Sequence, residues 1–232
     1  MTPFWGWRDL LLFCGAALPA LLIAKSLHSL VKLVAGPIGR APEAMLVQFA
    51  WWGVWFAALW AIFRLWHGRG FWGSLAFELR WKPVLLCALL GPPLWIAVVG
   101  ISVAIRQPEV QSTLQDLLTS WPAAILVGAC AATIGPLCEE LAFRGFLQPL
   151  LVRAAGTGAG IVLAALPFAL VHGPQYKWSW KHILMLTVVG SAFGWARHRT
   201  GSTAASTALH GGYNLSAFLA FLASEGDMID SW

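Results

Sequence analysis

Long apolar runs separated by short polar turns fill almost the whole chain. Seven stand out, at 10–24, 45–65, 83–105, 119–138, 158–173, 181–196 and 203–223. An α-helix rises 1.5 Å per residue, so about 20 apolar residues cross the hydrocarbon core of a bilayer. Runs of this length predict transmembrane helices. The stretch 26–37 either extends the first span or forms a short helix of its own. The segment 139–153 continues the fourth span, and as a separate helix it raises the number to eight. The expected fold is all-α, a polytopic transmembrane helical bundle of about seven to eight helices. No internal repeat, low-complexity tract or loop long enough for a soluble domain interrupts the pattern. Residues 1–232 are therefore expected to form a single integral membrane domain, with 1–118 free of motifs and the helices of 119–223 carrying the chemistry.

Composition strengthens this picture. Hydrophobic residues make up 59% of the chain and charged residues only 11%, whereas a soluble domain is about a quarter charged. Among fifteen tryptophans, Trp5, Trp7, Trp121, Trp178 and Trp180 lie near the ends of apolar runs, the level at which indole finds both hydrocarbon and water. Trp51, Trp52, Trp55 and Trp60 fall inside one run, so some of them face lipid or the bundle. The net charge of +5 comes from Lys and Arg in short loops, where they set topology. No basic stripe with interleaved aromatics projects into water, so nucleic acid is excluded and the bilayer is the expected partner. Placing Arg64, Arg69, Arg80, Lys82, Arg153, Arg197 and Arg199 on the cytoplasmic side leaves Glu225, Asp227 and Asp230 outside, although Lys25, Lys32 and Arg40 run against this orientation. Arg8 before the first run resembles a secretory signal, but a retained first helix fits a chain that is membrane protein throughout. Cys14, Cys87, Cys130 and Cys138 show neither C-x-x-C nor metal-finger spacing and are expected to pack as small hydrophobes.

Ionisable groups inside such runs change the question from fold to function. Each costs of order 3 kcal/mol by insertion scales. Residues 135–146 read Gly-Pro-Leu-Cys-Glu-Glu-Leu-Ala-Phe-Arg-Gly-Phe. The Gly135-Pro136 pair interrupts or restarts the helix. Glu140 and Arg144 are four apart, acid first, the favourable order for a helical ion pair. Glu139 points about 100° away around the helix, free to face a cavity. Downstream, Phe168 and His172 share a helix face at i,i+4, and Gly173-Pro174 stops that helix. His210 and Asn214 share another face, with Gly211 and Gly212 between them. Packing through small residues accounts for the glycines and for Ala204, Ala205 and Ser206. It does not account for a histidine.

The ordered set Glu-Glu-x-x-x-Arg, Phe-x-x-x-His and His-x-x-x-Asn on successive membrane helices resembles the CPBP family, named for CAAX proteases and bacteriocin processing and formerly called the abortive-infection family. It includes the type II CAAX prenyl endopeptidases. All three motifs match without substitution over residues 139–214. The resemblance implies an intramembrane endopeptidase of the glutamic type with a polar, water-filled intramembrane cavity. It implies that Glu139 and His172 activate the hydrolytic water, that His210 and Asn214 polarise the scissile carbonyl and stabilise the oxyanion, and that Glu140 and Arg144 hold the site together, with Phe168 lining it. The substrate it implies is a membrane-anchored protein or peptide. Composition points to a bacterial inner (plasma) membrane.

Peptide hydrolysis needs a base, an oxyanion stabiliser and confined water, and these residues supply each without a cofactor. Zinc is the alternative, since Glu139, His172 and His210 also form a possible His₂Glu ligand set; Asn214 on the His210 face favours oxyanion work instead. A cysteine protease built on Cys138 lacks anything nearby to activate the thiol. A proton-coupled carrier or a non-cutting peptide binder would use similar polar residues, but no paired broken helices mark an inverted-repeat carrier.

Overall fold

The computed structural model describes residues 2–110 and 112–225. It is helical, with no β-strand among the described residues, and it divides into two compact units, Pro3–Ser74 and the chain from Leu75 onward.

The first unit is a helical hairpin. Helix α1 (Trp7–Ala35) is one continuous 29-residue helix through Pro19, so the stretch 26–37 extends the first span. Gly36, at φ +76°, ends it. Helix α2 (Arg40–Ala61) runs into a π-helical turn at Ile62–Trp66, and a single turn, α3 (Phe71–Ser74), closes the unit. Two of the four mid-run tryptophans hold the hairpin together. Trp55 stacks on Phe13 at 4.4 Å and Trp51 stacks on Trp55 at 5.3 Å, both at 3° between planes. Their indole N–H groups donate to Phe13 O at 2.7 Å and Ala17 O at 2.8 Å. Each buried donor thus finds a partner on the facing helix, as an apolar environment requires. Trp60 instead is exposed. At the open end, His67 pairs with Asp9 at 2.9 Å.

The second unit carries all the motif residues. It comprises α4 (Trp81–Ala104), α5 (Trp121–Ala132), α6 (Ile134–Glu140), a π-helical segment Leu141–Leu147, α7 (Gln148–Ala155), α8 (Thr157–Val171), α9 (Trp180–Thr200) and α10 (Thr203–Glu225). The most extensive packing is between α10 and α4, and it depends on bare backbone. A Cβ on Gly91 would lie 2.4 Å from Gly212 C, one on Gly212 2.5 Å from Ala88 O, and one on Gly211 2.6 Å from Ala132 O. The glycines after His210 therefore wedge α10 between α4 and the end of α5, as small residues do in membrane helix pairs.

The expectation of an all-α bundle of about seven to eight helices holds, and each of the seven apolar runs falls on a helix. Among the described residues, four helical stretches are long and apolar enough to cross a membrane: Trp7–Ala35, Arg40–Trp66, Trp81–Ala104 and Trp121–Ala155. Helix α8 has only 15 residues, about 22 Å, short of the ~30 Å hydrocarbon core. Helices α9 and α10 are longer but more polar. The polar side chains Thr203, Ser206 and His210 are buried within the protein, so these helices are accommodated by protein neighbours rather than by uniform contact with lipid. Of the acidic tail, Asp227 and Asp230 lie outside the described residues.

Candidate functional site

A helix break sets the site. Thr133, at φ −128° and ψ −79°, ends α5, and α6 restarts at Ile134. Pro136 falls in the first turn of α6, where its missing N–H removes no helical hydrogen bond. The break leaves the last carbonyls of α5 without helical donors. Thr133 Oγ1 donates to Ala129 O at 2.6 Å and Asn214 Nδ2 donates to Ala131 O at 2.8 Å. Asn214 thereby ties α10 to the open end of α5.

Glu140 is the last residue of α6 and Arg144 sits in the π-helical segment that follows. They form an ion pair at 2.9 Å, with side chains 0% and 1% exposed. His210 Nδ1 lies 3.1 Å from the same Glu140 oxygen, Oε1. Arg144 Nη2 donates to Gly190 O at 2.9 Å, and its guanidinium lies 4.2 Å from the centre of the Phe168 ring. One turn on, Gln148 Nε2 donates to Gly194 O at 3.0 Å. Arg144 and Gln148, four apart, thus reach two α9 carbonyls that are also four apart. Only glycine admits this approach: a Cβ at Gly190 would meet Arg144 Nη2 at 2.9 Å, and one at Gly194 would meet Gln148 Oε1 at 2.6 Å.

Glu139 faces the other way, with a side chain 24% exposed. Its Oε2 lies 3.8 Å from Nε2 of His172 and 3.8 Å from Nε2 of His210. The other ring nitrogens are already engaged. His172, at the C-terminus of α8, places Nδ1 2.7 Å from Phe168 O. A carbonyl oxygen only accepts, so His172 Nδ1 carries the hydrogen; the Glu140 carboxylate imposes the same tautomer on His210. A neutral ring then presents its Nε2 lone pair towards Glu139, and a protonated ring presents an N–H. Aromatic rings fix their planes. Phe193 stacks on His210 at 4.3 Å and 22°, while the Phe168 ring lies 4.8 Å from His172 and 5.8 Å from His210.

Six of the seven predicted residues, Glu139, Glu140, Arg144, Phe168, His172 and His210, thus meet in one cluster. Asn214 lies one turn beyond, its amide spent partly on Ala131 O. Gln148, Phe193, Gly190 and Gly194 were not anticipated. Gln148 was within reach of sequence reasoning, because Glu140, Arg144 and Gln148 continue one polar stripe at i, i+4, i+8 on an otherwise apolar segment.

A helical membrane protein with a buried acid–arginine–histidine cluster beside a second, accessible acid is the class that this architecture defines. Residues 120–216 match the family model described as type II CAAX prenyl endopeptidase Rce1-like. That stretch, less than half of the chain, holds every site residue above, and over it the chain is similar to endopeptidases of the CAAX type. No curated protein and no solved structure matches the chain.

Proposed function

We propose that the protein is an intramembrane endopeptidase of the bacterial inner membrane, hydrolysing a peptide bond near the membrane end of an anchored protein or peptide. The matched family model is described as a CAAX prenyl endopeptidase. The observation that carries the proposal is the convergence of two histidine Nε2 atoms on Glu139 Oε2, each at 3.8 Å. That separation is too long for a direct hydrogen bond and suits one bridging water. Glu139, with His172, takes the proton of that water as it attacks the scissile carbonyl. His210 donates to the oxyanion from Nε2 in its imidazolium form, with Glu140 behind Nδ1 compensating the charge. Asn214 has a second amide N–H for the same purpose. Arg144 holds Glu140 in place.

A metal-dependent version has one observation in its favour. Both histidines give their Nδ1–H to an acceptor, the orientation that metal-ligating histidines also adopt. The ligands of a metal would have to close in, since two ligands of tetrahedral zinc at ~2.0–2.1 Å stand about 3.3 Å apart and Glu139 Oε2 lies 3.8 Å from each histidine Nε2, and that version leaves Asn214 without a role. The metal-free mechanism is therefore preferred.

The test uses full-length protein in lipid nanodiscs with a membrane-tethered, internally quenched peptide. Turnover in H₂¹⁸O should place one ¹⁸O in the new carboxylate, and E139Q should reduce the rate by ~10²-fold or more with the fold intact. Undiminished turnover in E139Q would remove Glu139 from the mechanism.

A further inference from the structure

A cleft of about 470 Å³ opens between the C-terminal end of α4, the loop after it and the start of α9. Its size is that of a ligand site. Ser102, Gln107, Tyr176, His182 and Tyr213 line it, together with apolar residues of α4 and α9. Two of the polar residues connect it to the cluster. Tyr176 lies one short turn past His172. Tyr213, between His210 and Asn214 in sequence, meets edge-on the same Phe193 that stacks on His210.

The rim is held in a strained form. Arg106 adopts φ +52°, a conformation that side chains other than glycine rarely take. Lys181 Nζ secures it by donating to Ile105 O and Arg106 O, both at 2.8 Å. Strain of this kind persists where the surroundings enforce it, and it clusters at binding sites.

Deeper in, His182 is only 8% exposed and stacks on Tyr176 at 4.8 Å. Its Nδ1 has no hydrogen-bond partner, and neither has Oε1 of Gln107. Native proteins seldom leave buried polar atoms unpaired. A hydrocarbon tail in the cleft would leave both as they are. A peptide chain offers N–H and C=O groups that satisfy both after a small side-chain rotation, and its side chains find the valines of α4.

We propose that this cleft seats the peptide chain of the substrate, with His182 and Gln107 binding its backbone and Tyr213 leading it towards Glu139. This rests on the protease reading, but the test separates the two. The full chain in nanodiscs, as E139Q, is titrated with a pool of fluorescein-labelled random decapeptides, which reports backbone recognition whatever the sequence. The H182F/Q107L pair should weaken binding about tenfold, the loss of one to two hydrogen bonds. S102W, which obstructs the cleft from a partly exposed helix position, should do the same and covers the case in which the pair fails to fold. In proteins retaining Glu139, both changes should raise KM by that factor with kcat within about twofold, a split that mere structural damage would not give. Binding lost in both variants while the protein with Glu139 intact cuts no peptide leaves the cleft assignment standing and removes the protease. Absent binding to E139Q, equal binding in the variants, or displacement of the pool by farnesol alone overturns the cleft assignment.

Discussion

Removing Arg144 should destabilise the protein more than removing Arg144 and Glu140 together. Arg144→Leu leaves the Glu140 carboxylate fully buried, with His210 Nδ1 at 3.1 Å its only remaining ionisable partner. Stranding one member of a buried pair costs about 3–5 kcal/mol. Net stabilities are only ~5–15 kcal/mol, so the loss is about a fifth of the margin or more. The double change E140L/R144L removes both charges and fills the space with hydrocarbon of comparable volume. Gly190 lies in the middle of α9, so its carbonyl keeps a helical donor when the guanidinium goes. The double variant should therefore recover at least about 2 kcal/mol over R144L, a coupling of the size expected for groups in contact. Reversible unfolding in mixed micelles, followed by tryptophan fluorescence, reads this directly. Peptide turnover should nevertheless stay lost in the double variant, because His210 no longer has an acceptor at Nδ1. If R144L lies within about 1 kcal/mol of wild type, or the double variant is worse than both singles, the buried pair does not have the energetics described.

Asn214→Leu should lower kcat by roughly 10²-fold with KM little changed, and should also cost about 1 kcal/mol through the lost bond to Ala131 O; a pure KM effect would place Asn214 in substrate binding instead. Gly91→Ala, whose Cβ would stand 2.4 Å from Gly212 C, should force α4 and α10 apart at a cost of about 1–3 kcal/mol, visible as a lower thermal midpoint. Prolonged treatment with a strong chelator should leave turnover unchanged and purified protein should contain no stoichiometric zinc; chelator-sensitive activity restored by zinc would overturn the metal-free mechanism without touching the peptidase assignment.

The helices of this chain and its polar cluster were both legible in the sequence. Acids and histidines are costly in apolar segments, so their spacing carries information that lipid-facing leucines do not. The i,i+4 rule paired Glu140 with Arg144 and separated Glu139 from both, as the 2.9 Å contact and the exposure of Glu139 bear out. Hydropathy located α8, α9 and α10 to within a few residues, at 158–173, 181–196 and 203–223, although a helix buried by protein need be neither long nor uniformly apolar. The break at Thr133 was placed two residues late, at Gly135-Pro136, since proline is tolerated in a first turn. Gly190 and Gly194 gave no signal, because what matters there is a backbone oxygen and an absent side chain. The π-helical segment was equally silent, since no proline lies within it to mark it in the sequence.

That segment fixes something besides geometry. A π-helical turn accommodates one residue more than the α-helix around it. Delete any single residue between Leu141 and Leu147 and the backbone can close as ordinary α-helix. The helix beyond would keep nearly its present face, because the wide turn takes up the extra residue. One of the two four-residue spacings, Glu140 to Arg144 or Arg144 to Gln148, would however fall to three, and the side chains that reach Glu140, Gly190 and Gly194 would no longer line up. The number of residues here is thus as much a part of the site as their identity. Relatives that keep the chemistry should vary freely in loop length elsewhere and hold this stretch to the same count.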